Sequence, residues 1–238
     1  LVQNIKQKYP NKEGVLIFFA PFENEKYRFR QESSLYYFSG LEEPGMVLLV
    51  DFQGSTMVYL AQYSEPRSKW ASSILYNADK NSLSSWGVTD IQYLGDFCKG
   101  YSINASCFPA QYEYLIKVLK NHIAAKRLIY TTYFNAYNEQ RLLIDRVIGI
   151  IPELKDYIVD ISDIIAAMRR KKTKQEIESI YRAVDCTMAA HEAAASVIGS
   201  EKIEYEVQAV IEFIFTQSGA QAAFPSIVAS GQNSTVLH

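Results

Sequence analysis

The stretch GMVLLVDFQGSTMVYLAQ, residues 45–62, decides how the first half of the chain is read. Two runs rich in Val, Leu, Met and Tyr flank a Gln53-Gly54 dipeptide. Glycine accepts the backbone angles of a tight turn, and branched or aromatic residues suit a pleated strand. The stretch therefore predicts a β-hairpin with Asp51 near its tip. Around it, GVLIFFAP from Gly14, IQYLGDF and RLIYTTYF read as strands. RSKWASSILYNA, AQYEYLIKVLKNHI and NEQRLLIDRVIGIIPEL read as helices, the last ending at Pro152. Strands alternating with helices predict an α/β layer domain over residues 1–160.

From residue 161 the pattern turns helical. Thr173-Lys-Gln-Glu176 is a capping box, in which the threonine hydroxyl and the glutamate carboxylate each satisfy an amide at the helix start. Ile177, Ile180, Tyr181, Val184 and Met188 recur behind it at helical spacing, and Gly199 lies where that helix should stop. A second amphipathic helix is expected from Ile203 to Gln217, ended by Gly219. The closing stretch AAFPSIVASGQNSTVLH, residues 222–238, reads as a strand, a Gly-Gln-Asn-Ser turn and the start of another strand. The chain reads as the front part of a longer enzyme, cut in mid-sheet. Its second domain would then expose apolar helix faces and fold poorly alone.

The 238 residues are 48% hydrophobic, with a net charge of −2. This balance gives no bulk pull toward nucleic acid or a membrane surface. Cys98, Cys107 and Cys186 are odd in number and widely spaced, which argues for reduced thiols in a cytoplasmic protein. No apolar run reaches the length of about 18 residues expected of a membrane helix, and the polar start is unlike a signal peptide. The sequence holds no GxGxxG, Walker or GxSxG motif.

The remaining candidates have bland readings. RRKKTK, residues 169–174, fits a solvated helix end and linker. His191 lacks a helical HxxxH or HxxE partner and reads as a core or boundary residue; His122 reads as a surface or end-of-helix residue. Asp156, Asp160 and Asp163 read as capping and solvating groups. His238 follows a turn of small polar residues. From the residues alone, a place in a site and an exposed chain end are equally good accounts of it.

Two stretches carry a resemblance. In YRFRQESSLYYFSGLEEPGMVLLV, residues 27–50, Arg30, Gln31, Ser33, Tyr37, Ser39, Gly40, Glu43 and Pro44 spell Arg-Gln-x-Ser-x-x-x-Tyr-x-(Ser/Thr)-Gly-x-x-Glu-Pro. MRRKKTKQEIESIYRAVDCTMAAHEA, from Met168, carries Arg-x-x-Lys-(Ser/Thr)-x-x-Glu-Ile, and FPSIVASGQNSTVLH closes the chain. Together they resemble the creatinase/aminopeptidase P group of metallopeptidases, nearest the Xaa-Pro aminopeptidases. Ser34 stands where that family commonly has aspartate.

The resemblance implies a creatinase-type N-terminal α/β domain with a mixed six-stranded sheet flanked by helices, residues 1–160. Residues 161–238 would be the α+β start of a pita-bread catalytic domain. It implies hydrolysis of peptides with proline at the second position, by a hydroxide held between two divalent ions, typically Mn2+. The family's metal ligands lie downstream of the Val-Leu-His segment, so none is expected here. His238 would contact bound substrate beside the metals. Trp70 would fall near a tryptophan that reaches a neighbouring subunit's site in a homo-oligomer. Prolidase activity, or a peptidase-like binding module without metals, are the alternatives.

Overall fold

Every residue of the run GVLIFF is buried, and it forms strand β1 (Gly14–Phe19). Successive side chains point to opposite faces. Val15, Ile17 and Phe19 enter one hydrophobic cluster, and Leu16, Phe18 and Ala20 enter another. A strand covered on both sides needs a continuous apolar run, which is what the sequence supplies. The computed structural model describes residues 1–23, 28–64, 66, 69, 73–98, 109–133 and 139–236. It divides into two compact units, Leu1–Arg169 and Arg170–His238.

In the first unit the expected hairpin joins β2 (Val47–Asp51) to β3 (Thr56–Leu60). At its tip Asp51 Oδ1 accepts from the Gln53 amide at 2.8 Å. With β4 (Asp90–Tyr93), β5 (Leu128–Thr131) and β6 (Ile158–Asp160) the sheet is six-stranded, in the order β4-β3-β2-β1-β5-β6. The β1/β2 and β2/β3 pairs are antiparallel and the other three are parallel, so the sheet is mixed as expected.

Helices α4 (Glu113–Ala124) and α5 (Glu139–Ile150) supply Leu115, Leu119, Leu143 and Val147 to one face of the sheet. Helices α1 (Val2–Lys8), α2 (Ser33–Ser39) and α6 (Ser162–Arg170) supply Ile5, Leu35, Ile164 and Ile165 to the other. The short α3 (Lys80–Ser85) adds Leu83 to that second face. Tyr130 of β5 is fully buried there, stacked on Phe52 with ring centroids 5.2 Å apart. A Cβ at Gly14 would lie 2.5 Å from both Leu128 O and Tyr130 Cε2, so only glycine fits beside it. Lys8 pairs with Asp163, joining α1 to α6.

The first compact unit ends at Arg169, nine residues past Asp160. Ile161, Ile164 and Ile165 are buried in the second-face cluster, so α6 belongs to the sheet. Asp160 does cap, as read: Oδ1 accepts from the Ser162 amide at 3.1 Å, the Ser162 hydroxyl at 2.6 Å and the Tyr133 amide at 3.2 Å. The helix expected over residues 67–78 is corrected where it is described. Residues 73–78 form bends and turns, with Leu75 buried and Tyr76 Oη donating to Ala61 O at 2.7 Å. Helix starts instead after Asp79, whose Oδ1 accepts from the Ser82 amide at 2.8 Å.

The second unit is built on α7 (Lys174–Val197) and α8 (Glu204–Gln217), which pack on each other. The capping box is made in full: Thr173 Oγ1 accepts from the Glu176 amide at 3.2 Å, and Glu176 Oε2 from the Thr173 amide at 2.7 Å. Ala190, Ala194 and Val207 are the buried residues of the pair. The stripe of Ile177, Ile180, Tyr181, Val184 and Met188 is exposed, Tyr181 by 65%. His191 is exposed too, which corrects its reading as a core or boundary residue.

The two closing strands are also corrected. Among the described residues after α8 there is no strand, and residues 231–235 form a 3-10 turn (Gly231–Thr235). Phe224, Ile227 and Val236 are β-forming types, yet each is more than half exposed. A strand needs a partner to satisfy its backbone, and none of the described strands pairs here.

Candidate functional site

Within the stretch from Arg30 to Pro44, the helix α2 has both ends tied. Glu32 is the N-cap of α2, its Oε2 accepting from the Ser34 and Leu35 amides at 2.9 and 2.8 Å. Gly40 closes the helix in the left-handed conformation, φ 65°, with its amide on Tyr36 O at 2.7 Å. Ser39 Oγ donates to Leu35 O at 2.7 Å and accepts from the Leu41 amide at 3.1 Å. Buried Gln31 spans the helix: Oε1 accepts from the Glu32 amide at 2.9 Å, and Nε2 donates to Leu41 O at 3.2 Å. Ser34 is buried, where a charged aspartate would need partners of its own.

Ser33 and Tyr37 stand four residues apart, on one face of α2. Arg169 reaches both: Nη1 donates to Ser33 Oγ at 3.1 Å, and the guanidinium sits 5.6 Å from the Tyr37 ring centroid. The two stretches that carried the resemblance therefore meet at the exit of the first unit. Arg169 stands in the last turn of α6, the helix end expected of it, and has found these two partners as well, while Lys171 and Lys172 are exposed as expected.

In the second unit the polar centre is Glu204, the first residue of α8. Its Oε1 accepts from the Ser230 amide at 2.7 Å, the Ser230 hydroxyl at 3.1 Å and Asn233 Nδ2 at 3.0 Å; Oε2 accepts from Asn233 Nδ2 at 3.3 Å. Hydrogen bonding from Asn233, then from the Ser230 amide, holds the Glu204 carboxyl below its ordinary range. Sequence reading missed this group, because its partners lie 26 and 29 residues apart along the chain.

Burial pushes the Cys98 thiol up to about 11, so it stays neutral and unreactive. His122 is half-buried, and burial, then the charge of Arg127, depresses it. Among the described residues no group of three or more His, Cys, Asp or Glu could hold a metal ion. Trp70, His238 and Cys107 lie outside the described residues.

Comparison with known proteins follows the same division. Residues 7–101 match the family described as aminopeptidase P, N-terminal domain, and residues 178–238 match metallopeptidase family M24. The "Probable Xaa-Pro aminopeptidase PEPP" of Sordaria macrospora is 25% identical over 224 residues, 92% of this chain and 34% of that protein. The Xaa-Pro dipeptidase of Pyrococcus furiosus is 40% identical, over 33% of this chain and 23% of its own length. Among solved structures, Escherichia coli aminopeptidase P in its low-pH form has a TM-score of 0.72 at 19% identity, covering all of this chain and 54% of that one. Pseudomonas aeruginosa aminopeptidase PepP gives the same score and identity, covering 52% of that chain. The chain thus spans about half the length of these structures, and about a third of the Sordaria relative.

Proposed function

Because the chain belongs to the aminopeptidase P/creatinase family of metallopeptidases, we propose that it is the front part of an Xaa-Pro aminopeptidase. The enzyme would hydrolyse the bond between an N-terminal residue and a following proline. The observation that carries this reading is the pair of family matches in order along one chain, at 7–101 and 178–238. Residues 1–160 would act as the N-terminal domain and 161–238 as the opening of the pita-bread domain.

A metallopeptidase of this family uses divalent metal. Among the described residues no cluster of His, Cys, Asp or Glu fits such an ion. We assign the ligands to polypeptide beyond residue 238 and the ion to manganese. His238 would donate a hydrogen bond to the substrate carbonyl as it gains negative charge, which an imidazole beside the reacting centre does well. Trp70 would line the rim of a neighbouring subunit's site in a homo-oligomer. The cytoplasm is the compartment that suits free Cys98 and Cys186. No described helix is long and apolar enough to cross a membrane.

The test is hydrolysis of Xaa-Pro peptides by the polypeptide extended beyond His238, with manganese added. Release of the first residue from tripeptides and longer substrates is expected. Cleavage confined to Xaa-Pro dipeptides would replace this reading with prolidase. No turnover, with acidic ligands present in the extension, would replace it with a binding module.

A further inference from the structure

The second unit opens on Arg170-Lys171-Lys172, three adjacent cations that the function proposed above does not use. Ahead of them α6 ends at Arg170, with Arg169 held to α2 through Ser33 and Tyr37. Behind them α7 begins at Lys174 with its capping box. Lys171, Lys172 and Thr173 belong to no helix or strand, and residues 170–175 are all exposed. The Lys172 ammonium donates to Arg170 O at 3.4 Å, a long bond within the same short segment.

A protease holds several residues in extended form across its cleft, so exposure alone does not make a bond cleavable. Three irregular residues are too few, and the first turn of α7 must open as well. That turn is tied at Thr173, through the two capping bonds and through the Ile177 amide on Thr173 O at 3.0 Å. A helix end is among the parts of a folded chain that open most readily.

We infer that Arg170–Thr173 is a limited-proteolysis site for a serine protease with an acidic primary pocket, and that the capping box of α7 sets how often it opens. Such a pocket accepts Arg or Lys ahead of the cut bond, and three such side chains stand here in a row. Cleavage after Lys172 adds water across the Lys172–Thr173 bond. The carbonyl carbon takes the oxygen, giving a carboxylate, and the nitrogen leaves as the Thr173 amine. That amine still faces the Glu176 carboxylate, so an ion pair replaces the amide hydrogen bond and α7 keeps its start. The first unit keeps both of its buried clusters whichever of the three bonds is cut.

The bond after Arg182 is the internal control. Arg182 is exposed too, but it lies well inside α7, with Nη2 donating to Ser179 Oγ at 3.2 Å. The site stands apart from the peptidase reading, and its test needs no Xaa-Pro substrate. The extended polypeptide is treated with trypsin under native conditions, at a ratio low enough that opening and reclosing outrun the cut, and fragments are followed by mass. Fragments ending at residue 170, 171 or 172 should appear before any fragment cut after Arg182. Thr173→Ala, which removes one capping bond, should speed the cut at 170–172 about fivefold and leave the Arg182 cut unchanged. Thr173→Ser keeps a hydroxyl and should return the original rate. Equal rates at 170–172 and at Arg182 would overturn the inference, and so would a cut at 170–172 that is indifferent to Thr173→Ala.

Discussion

The two units hold their chains by different means. In the first, all six residues of β1 are buried between two helical layers, and alternate side chains feed separate clusters. In the second, the buried residues of the helix pair are Ala190, Ala194 and Val207, while the larger side chains of the α7 stripe face outward. One unit is stabilised by enclosed apolar surface. The other is held by helix caps and by the carboxylate on Ser230 and Asn233. Amphipathic spacing therefore predicts a helix correctly without showing whether its apolar face is covered.

The sharpest test sets a core residue against a stripe residue. Leu16→Ala should cost about 2–5 kcal/mol, the usual penalty for a cavity in a closed core. Trp86 packs against the second-face cluster of the first unit, so its fluorescence during urea unfolding reports on that unit. Ile180→Ala should stay within about 0.5 kcal/mol by the helix signal in circular dichroism. Equal losses would mean that the stripe is covered in solution, and the comparison would break.

Gly14→Ala probes the tightest point of the first unit. A methyl group there meets the Leu128 carbonyl and the Tyr130 ring, and overpacking of this kind costs about 1–3 kcal/mol. The midpoint of the same fluorescence transition should fall. Thr173→Ala probes the second unit instead. Loss of the cap should cost about 1 kcal/mol, seen as faster amide exchange in the first turn of α7 with the fluorescence transition unmoved.

The smallest effect is a pH dependence. Glu204 has a lowered carboxyl, so its contribution is fully present above the ordinary carboxylate value and is lost as pH falls through the lowered one. Asn233 side-chain resonances should shift only at a pH below the usual glutamate range. Because the group faces solvent, the accompanying change in stability should be slight and salt-sensitive.

Much of the fold was legible because its signals are local. The hairpin declared itself through Gln53-Gly54, and α7 through its capping box. The short α2 was not legible as a helix: its N-cap is Glu32, outside the usual cap residues, and seven residues are too few for a period. The closing strands were misread because Phe224, Ile227 and Val236 have strand-forming side chains, while strand formation depends on a partner elsewhere. The site was legible only in part. His238 and Trp70 stood out by motif, whereas Glu204 became visible only when residues distant in sequence were seen side by side. Arg169 was hidden for a related reason, since a basic run looks alike whether or not one member has found Ser33 and Tyr37.

The pairing of Lys8 with Asp163 brings the opening helix of the first unit against its closing one. A module whose first and last helices are tied at the surface can be re-spliced without disturbing its interior. Joining residue 170 to residue 1 through a glycine-serine bridge long enough to run back along both helices, and opening the chain at the exposed Gln53-Gly54 tip, would give a circular permutant with the same strand order.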